Sequence, residues 1–311
     1  MLREDALLDG ITRLFGIEFN DASLVQLGAL ELLLKVDSFD WDLHMLPLLT
    51  FRRVGIKSVV APVSDVLVKG GAPVAALLSL RVPGSFNEEQ LLQLLAGVRE
   101  AGAKYGLRIV GGDTDVTEGG PLRLDVFVAA LLVGRYLRRK DAKPGEILAV
   151  TGRVGLSAAV QAFSLNPGEV GCQLADRDLE EYAWGNLPDP GAWLAVKEAV
   201  GAALDNSDGL ALSLHYLSES SGVRLELEEV PLHPLALECF GEKEALERAL
   251  YHSGEEYNFV FTLPEEHEEL LKLVNATPVG RVRQGKGVYL QGYGEVRKFG
   301  WVGGVGYAER L

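Results

Sequence analysis

The sequence has little cysteine and no long apolar run. Only Cys172 and Cys239 occur among 311 residues, and their spacing is not that of metal ligands, so the sequence predicts neither a disulfide framework nor a zinc site. A reducing compartment fits this cysteine usage. No apolar run reaches the roughly 18 residues that a spanning helix needs, and the charged N-terminus lacks a signal-peptide core. We therefore expect a cytoplasmic protein that does not bind membranes.

Positive charge is also scarce. Thirty basic residues stand against 44 acidic ones, which leaves a formal net charge of −14. This balance argues against nonspecific binding to nucleic acid or to anionic membranes. A chain this acidic needs cations if it binds phosphates.

The chain length predicts two domains, because one domain holds about 150 residues. The turn signal Lys143-Pro144-Gly145-Glu146 is the expected boundary, and it predicts domains over residues 1–140 and 141–311. Strand and helix patterns alternate in both halves, so the predicted fold class is mixed α/β. Helices are expected at 2–15, 50–68, 87–105 (N-capped by Asn87), 176–202 with a break at 186–191, 209–220 (N-capped by Ser207 or Asp208) and 265–274. Strands are expected at 24–27, 29–36, 75–82, 107–112, 122–133, 147–150, 223–227, 257–262, 278–282 and 287–290.

The stretch Leu107 to Asp115 predicts a buried strand that stops at Gly111-Gly112 and is followed by Asp113. Glycines permit close approach of a ligand, and an aspartate beside them can hold a hard cation against it. Ordinary hairpin chemistry is the alternative explanation. The glycine-flanked turn at 151–155 is interpreted as a structural strand-to-helix turn, because it lacks the Gly-Lys-Ser/Thr of a P-loop.

Similar acids recur at the edges of other predicted elements. Converging carboxylates repel one another unless cations lie between them, and Mg²⁺ prefers oxygen ligands of this kind. Such a cluster favours phosphoryl transfer, in which metal ions neutralise the migrating group. The alternative is that each acid is an independent cap or turn residue of an acidic protein. The candidate metal ligands are Asp21, Asp37, Asp65, Asp113, Asp205 and Asp208.

In their order along the chain, these motifs resemble those of the thiamine-monophosphate kinases. That family belongs to the PurM-like superfamily, which is related to aminoimidazole ribonucleotide synthetase. The matching segments are Phe19-Asn20-Asp21-Ala22, Lys35-Val36-Asp37-Ser38 with His44, Val63-Ser64-Asp65 through Lys69-Gly70-Gly71-Ala72, Gly111-Gly112-Asp113-Thr114-Asp115, Arg135 with Arg139, Asp205-Asn206-Ser207-Asp208-Gly209-Leu210, and Ser253-Gly254-Glu255-Glu256-Tyr257.

The resemblance implies a two-domain PurM-like fold and a homodimer that pairs through the N-terminal sheets. It implies transfer of the ATP γ-phosphoryl group to thiamine monophosphate with several Mg²⁺ ions, which the six aspartates would hold. Asp65, Asp113 and Asp208 would be catalytic. Tyr105, Gly112, Asp113, Arg139 and Ser207 would face ATP. His44, Glu255 and Trp301 would contact thiamine phosphate, with Tyr307 as the alternative to Trp301.

The sequence departs from the family pattern at several of these positions. Asn20 replaces an acid, Lys35 and Val36 replace hydroxyl-bearing residues, and Glu256 replaces an aspartate. We expect the Lys35 ammonium to take part of the charge role of one metal ion. Two alternatives remain: another PurM-like ATP-dependent kinase or ligase, and a non-catalytic protein that binds nucleotide or thiamine phosphate.

Overall fold

The structure is a computed structural model that describes residues 4–168 and 170–310. The helices are α1 (Glu4–Phe15), α2 (Trp41–His44), α3 (Phe51–Val68), α4 (Glu88–Lys104), α5 (Leu156–Leu165), α6 (Asp176–Trp184), α7 (Pro190–Val196), α8 (Leu210–Ser221) and α9 (Pro234–Tyr251), with 3-10 helices at Lys197–Ala199 and Glu265–Val274. The strands are β1 (Ser23–Leu27), β2 (Leu30–Asp40), β3 (Gly71–Pro83), β4 (Arg108–Thr117), β5 (Arg123–Leu132), β6 (Ile147–Thr151), β7 (Ala203–Asp205), β8 (Arg224–Leu227), β9 (Phe259–Leu263), β10 (Ala276–Arg283), β11 (Gly287–Leu290), β12 (Gly294–Glu295), β13 (Phe299–Val302) and β14 (Gly306–Glu309).

Within the described ranges, β1 to β5 form an N-terminal sheet in the order β1-β2-β5-β3-β4, and only β3 and β4 run parallel. Helix α3 covers one face, where Leu33 and Val126 are fully buried. The register places a row of partly exposed apolar side chains on the opposite face, because successive residues of a strand point to opposite sides. This open face carries Val25, Leu27, Leu30, Val36, Leu77 and Leu131.

Helix α3 lies at the centre of the molecule. It packs against β2 and β5 of the N-terminal sheet and against α6 and β7 of the second half. Glycines let it approach α4 closely: a Cβ at Gly55 would lie 2.0 Å from the carbonyl oxygen of Leu94, and one at Gly97 would lie 2.0 Å from that of Arg52. The side chains of α3 therefore face both halves of the chain.

The second half contains a sheet in the order β12-β11-β8-β10-β6-β9-β7, and β13 pairs with β14 in a separate hairpin. Strands β6 and β9 are buried along their whole length. These continuous apolar runs are typical of strands that are covered on both faces. Across 4–168 and 170–310, the structure has no helix with the length and apolar character needed to cross a membrane.

The mixed α/β architecture predicted from the sequence is confirmed, as are the first helix within the described residues, the strand pair hinged at Gly28 and the Asn87 cap, which accepts a hydrogen bond from the Gln90 N–H at 3.1 Å. The prediction for α8 was wrong in its cap: the helix begins after Gly209, whose N–H donates to Asn206 Oδ1 at 3.1 Å. The segment 265–274 is a 3-10 helix.

The strand before Asp113 does not stop at its two glycines, contrary to the expectation from the sequence. Strand β4 continues through them to Thr117, and it is exposed along nearly its whole length, so the prediction of a buried strand was also wrong. A Cβ at Gly112 would lie 1.7 Å from the carbonyl oxygen of Leu78 on β3, and Gly112 has φ +152°. Close contact between two strands therefore requires this glycine, whether or not a ligand also binds there.

The expectation of unpaired cysteines was wrong. Cys172 and Cys239 form a disulfide, with their Cα atoms 4.6 Å apart. Cys172 lies in the segment between α5 and α6, and Cys239 lies on α9. The fold packs this segment against α9, a contact that a sequence separation of 67 residues does not reveal.

Candidate functional site

Three of the predicted metal ligands converge from separate parts of the chain. Asp21 precedes β1, Asp65 lies on α3 and Asp205 ends β7, and one carboxylate oxygen of each lies within 4.8 Å of the others. Ser64 Oγ donates to Asp205 Oδ2 at 2.5 Å and so links α3 to the second half. Residues from both halves thus build one acidic cluster.

Lys35 connects Asp37 to this cluster. Its Nζ atom lies 2.9 Å from Asp65 Oδ2 and 3.4 Å from Asp37 Oδ1. Burial opposes a charge on Lys35, but Asp65 and Asp37 outweigh it and raise the pKa of the ammonium. The lysine therefore carries its positive charge between two of the predicted metal ligands.

Asp21 is held by two other cations. Lys69 Nζ lies 2.5 Å from Asp21 Oδ2, and the Arg139 guanidinium binds Oδ1. Burial alone would raise the pKa of Asp21, but Arg139 and Lys69 together hold it below its usual value. Burial lowers the pKa of Lys69, and Asp21 opposes this shift through the short contact that makes the two an ion pair. Arg139, which is predicted to face ATP, binds Asp21 and lies 4.5 Å from the Phe19 ring centroid, and its role at ATP stays a prediction.

The other acids of the cluster have raised pKa values. Burial is the main cause for Asp65, whose pKa lies well above the usual value, and for Asp205, whose pKa rises to about 7. Asp208 lies between Asp205 and α8, and burial raises its pKa to about 6 with a further contribution from Glu4. Closely placed buried carboxylates favour protonation or a bound cation.

Asp113 lies on the other side of the N-terminal sheet. Asp37 on β2 pairs with Val126 on β5, and Val126 pairs with Leu78 on β3. Paired residues point to the same side of a sheet, and Val126 is fully buried, so all three lie on the face that the helices cover. Asp113 pairs with Ser79, the next residue along β3, and therefore points to the open face, where it is exposed. The structure does not bring Asp113 to the acidic cluster within one chain, and its metal and catalytic roles stay predictions.

The remaining residues predicted to face ATP lie in three different environments. Tyr105 is buried and packs at 6.3 Å against the ring of Trp184, and burial raises its pKa. Gly112 lies inside β4. Ser207 is half-buried, and its carbonyl oxygen accepts from the Glu255 N–H at 2.6 Å. Ser207 thus adjoins both Asp205 and the loop of Glu255.

Glu255 lies in a loop whose backbone is strained, with φ +63°. Its Oε2 accepts from the Tyr182 hydroxyl at 2.7 Å. Lys57 on α3 donates to the Glu255 carbonyl oxygen at 2.9 Å, and its ammonium lies 3.8 Å from the Tyr182 ring centroid. These contacts hold the loop in one conformation beside α3.

The two alternative aromatic residues are neighbours. Trp301 on β13 pairs with Tyr307 on β14, and their rings meet edge to face at 5.4 Å. The Tyr307 hydroxyl accepts from the Gly254 N–H at 3.2 Å, next to Glu255, while the backbone N–H of Trp301 donates to the Asp208 carbonyl at 2.8 Å. Both aromatics therefore border the region between Asp208 and the Glu255 loop.

His44 ends the short helix α2. Its Nδ1 accepts from the Asp40 N–H at 2.9 Å, and its ring lies 5.6 Å from that of Phe39. The ring is half-buried at the end of β2, the strand that also carries Lys35 and Asp37.

Sequence reasoning missed Lys57, Lys69 and Tyr182. A lysine inside or at the end of a long apolar helix is the signal that could have identified the first two, because a buried ammonium needs a partner. Glu256, which replaces an aspartate of the family motif, binds the N-terminus of α5: its Oε1 accepts from the N–H groups of Gly155 and Ser157 at 2.8 Å. Burial raises the pKa of Glu256 to about 8. The turn at 151–155 thus holds a carboxylate of the protein itself, as its structural interpretation suggests.

The cluster fits Mg²⁺ only in part. Carboxylate oxygens at this spacing suit a hard divalent ion, and Asp65 and Asp205 each offer one within 4.8 Å of the other. Asp21 does not fit this role, because a lysine and an arginine bind its two oxygens.

Residues 19–135 match the family described as "AIR synthase related protein, N-terminal domain". Among curated proteins, the chain is 30% identical to the thiamine-monophosphate kinase of Pyrococcus abyssi over 279 residues, which cover 88% of this chain and 84% of that one. It is also 30% identical to the thiamine-monophosphate kinase of Aquifex aeolicus over 300 residues, or 91% of each chain.

Solved structures show the same relationship. The structure described as "AaThiL complexed with AMPPCP and TMP" superimposes with a TM-score of 0.84 at 27% identity and covers 97% of both chains. The protein tt0281 from Thermus thermophilus gives a TM-score of 0.83 at 34% identity, covering 94% of this chain and 98% of that one. These likenesses confirm the predicted PurM-like fold.

Proposed function

The chain belongs to the thiamine-monophosphate kinase family, and on this premise we propose that it transfers the γ-phosphoryl group of ATP to thiamine monophosphate. The observation that carries the proposal is the meeting of Asp21, Asp65 and Asp205 from both halves of the chain in one buried cluster. A relative of the same fold is described with AMPPCP and TMP bound, which supports a nucleotide and TMP as the ligands.

The reaction brings two polyanions together, so the site must neutralise negative charge. Asp65 and Asp205 would hold Mg²⁺, which when bound would screen the phosphates and polarise the transferred group, while Asp37 lies beside them in its ion pair with Lys35. Lys35 adds a fixed positive charge at the same place. The protein's main contribution is to position the donor and acceptor phosphates in line.

The acceptor would lie between Asp208, the Glu255 loop and the β13–β14 hairpin. The indole of Trp301 suits a cationic thiazolium or a flat pyrimidine, because aromatic faces attract cations. Tyr182 and Lys57 hold Glu255 in place. His44 would contact the same ligand from the end of β2.

We also propose that the protein is a cytoplasmic homodimer with domains over 1–140 and 141–311. The apolar open face of the N-terminal sheet supports pairing through this surface. Asp113 points to the same face, so its proposed role at the nucleotide would lie beside this interface, whereas Gly112 pairs with Leu78 of the helix-covered face and would approach the nucleotide there.

The direct test is an activity panel in which purified protein receives ATP, Mg²⁺ and either thiamine monophosphate, thiamine or other phosphorylated acceptors. We expect thiamine diphosphate from thiamine monophosphate alone, detected by chromatography. Turnover with a different acceptor would assign the chain to another PurM-like kinase or ligase activity.

A second candidate is a binding protein without turnover, and the cations that bind Asp21 and Asp65 favour it. Tight binding of ATP and thiamine monophosphate with no product would support this candidate. The same panel therefore separates the two functions.

A further inference from the structure

We propose that Lys35 and Lys69 are built-in cations that replace metal ions in the acidic cluster, so that Asp21 binds no metal and the nucleotide-free chain holds at most one divalent ion. The inference rests on the proposed function, since that function is the reason to expect several ions. The contacts of each lysine and the total charge of the cluster support it independently.

Lys69 is fully buried, with no exposed side-chain area, at the C-terminal end of α3. Its Nζ atom lies 2.5 Å from Asp21 Oδ2 and also donates to the carbonyl oxygen of Ala203 on β7. A buried ammonium with two oxygen partners is fixed in position. It therefore gives Asp21 a permanent counterion that belongs to the protein.

Arg139 completes the surroundings of Asp21 by binding the other carboxylate oxygen. The arginine is itself 6% exposed and is enclosed by the rings of Phe19 and Tyr216. A divalent ion at Asp21 would lie against two positive charges that cannot move into solvent. The repulsion is strong because few water molecules screen it.

Lys35 has the same function on the other side of the cluster. Its Nζ is within ion-pair distance of Asp65 and Asp37, which come from α3 and β2. An ion that bridged these two carboxylates would occupy the position of this ammonium. Asp205 differs, since within the described part of the chain its carboxylate accepts from the neutral hydroxyl of Ser64.

The total charge leads to the same conclusion. Five carboxylates lie in or beside the cluster: Asp21, Asp37, Asp65, Asp205 and Asp208. Four cationic side chains pair with them, Lys35, Lys69, Arg139 and Arg310, whose guanidinium lies 4.0 Å from Asp208 Oδ2, so the formal charge is −1. One divalent ion more than balances that charge, and a second would leave the site strongly positive before any nucleotide arrives.

The test counts Mn²⁺ bound to the nucleotide-free protein by electron paramagnetic resonance, in wild type, Lys35→Thr and Lys69→Met. Threonine suits a strand and leaves space beside Asp65, and methionine keeps most of the volume of a buried lysine. Lys140→Thr is the matched control, because among the ion pairs of the described residues the exposed Lys140 pairs with Glu18 and with none of the cluster carboxylates. Circular dichroism checks that each variant is folded.

We expect at most one Mn²⁺ in wild type and in Lys140→Thr. Lys35→Thr should bind one more ion or bind the first about tenfold more tightly, because one adjacent unit charge is gone. Two or more ions in wild type, or equal counts and affinities in Lys35→Thr and wild type, would overturn the proposal. If Lys69→Met does not fold, the comparison of Mn²⁺ count and affinity between Lys35→Thr and wild type decides whether the proposal stands.

This measurement uses neither ATP nor thiamine monophosphate. A failed metal count therefore leaves the proposed kinase function standing. Conversely, absence of turnover does not affect the count.

Discussion

Asp65 lies among the other charged side chains of the site. It adjoins Lys35, Asp21 and Asp205, and it is almost completely buried. We predict that Asp65→Asn lowers kcat at least about 100-fold. The variant loses a carboxylate that would hold Mg²⁺ at the reacting phosphates, and the transition state is therefore less stabilised. Steady-state kinetics measures this effect. Asp141→Asn, which alters an exposed pair with Arg138, should remain near wild type, and an equal loss in both variants would contradict the role of Asp65.

The aromatic pair of the C-terminal hairpin gives a second prediction at this scale. Trp301→Ala should raise the KM for thiamine monophosphate about tenfold while the KM for ATP changes little, because in the proposed site the indole contacts the acceptor and not the nucleotide. Tyr307→Phe removes the hydroxyl that binds Gly254 and is the matched comparison. If Tyr307→Phe shows the larger effect on the acceptor KM, Trp301 is not the contacting residue.

The acids of the site could be predicted from the sequence, and so could the cationic role of Lys35, but the other counterions could not. Asp21, Asp65 and Asp205 lie beside turns or inside apolar runs, where an unpaired charge is costly and therefore noticeable. Lys69 also follows an apolar run, yet its partner Asp21 lies on a distant segment. Asp113 has a similar sequence context and nevertheless points to the other face of the sheet, because β4 continues through its glycines.

An ion-pair network joins α3, α4 and α6. Arg52 binds Glu100 and Glu180, and Arg53 also binds Glu180. Hydrogen bonds from Arg52 hold the pKa of Glu180 at about 2. Since this folded-state pKa lies below the ordinary value for glutamate, the stabilisation is present above that ordinary value and is lost as the pH falls toward 2.

We predict that Glu180→Gln lowers the free energy of unfolding by about 1 kcal/mol at neutral pH, a value reduced from the full pKa shift because the side chain is partly exposed. The difference from wild type should shrink as the pH is lowered to ~3. Urea unfolding at both pH values measures it. A difference that is the same at both would show that the carboxylate charge is not responsible.

The disulfide fixes the segment before α6 to α9. Because it closes a 67-residue loop, reduction should lower the free energy of unfolding by about 2–4 kcal/mol. Thermal unfolding with and without a reductant that reaches the bond tests this expectation. Cys239→Ser supplies the control, since its melting temperature should equal that of the reduced wild type and should not respond to reductant.

At the element scale, most helices and strands of the N-terminal half follow from apolar periodicity and from caps such as Asn87. Helix α9 escaped prediction because its residues do not keep one helical stripe. Gly241, with φ +71°, divides it into two helical pieces that present different faces. The strand β7 is only three residues long and too short to show a period.

At the scale of the whole molecule, the open face of the N-terminal sheet is a broad apolar surface. We predict that Leu77→Glu, in the central strand β3, converts the protein to a monomer, because a charge would be buried in the interface. Sedimentation velocity measures the change. Leu273→Glu is the control, since Leu273 is 60% exposed on a 3-10 helix that packs against α7, β6 and β10 of the second half. A wild-type monomer, or a Leu77→Glu dimer, would contradict pairing through this face.

The central claim is that carboxylates from both halves form one site where donor and acceptor phosphates meet. The most direct measurement is a crystal structure with a non-hydrolysable ATP analogue, Mg²⁺ and thiamine monophosphate. We predict that the acceptor phosphate and the terminal phosphate of the analogue lie together beside Asp65 and Asp205, with Lys35 still between Asp37 and Asp65. Ligands bound at separate places, or phosphates away from Asp65 and Asp205, would contradict the account.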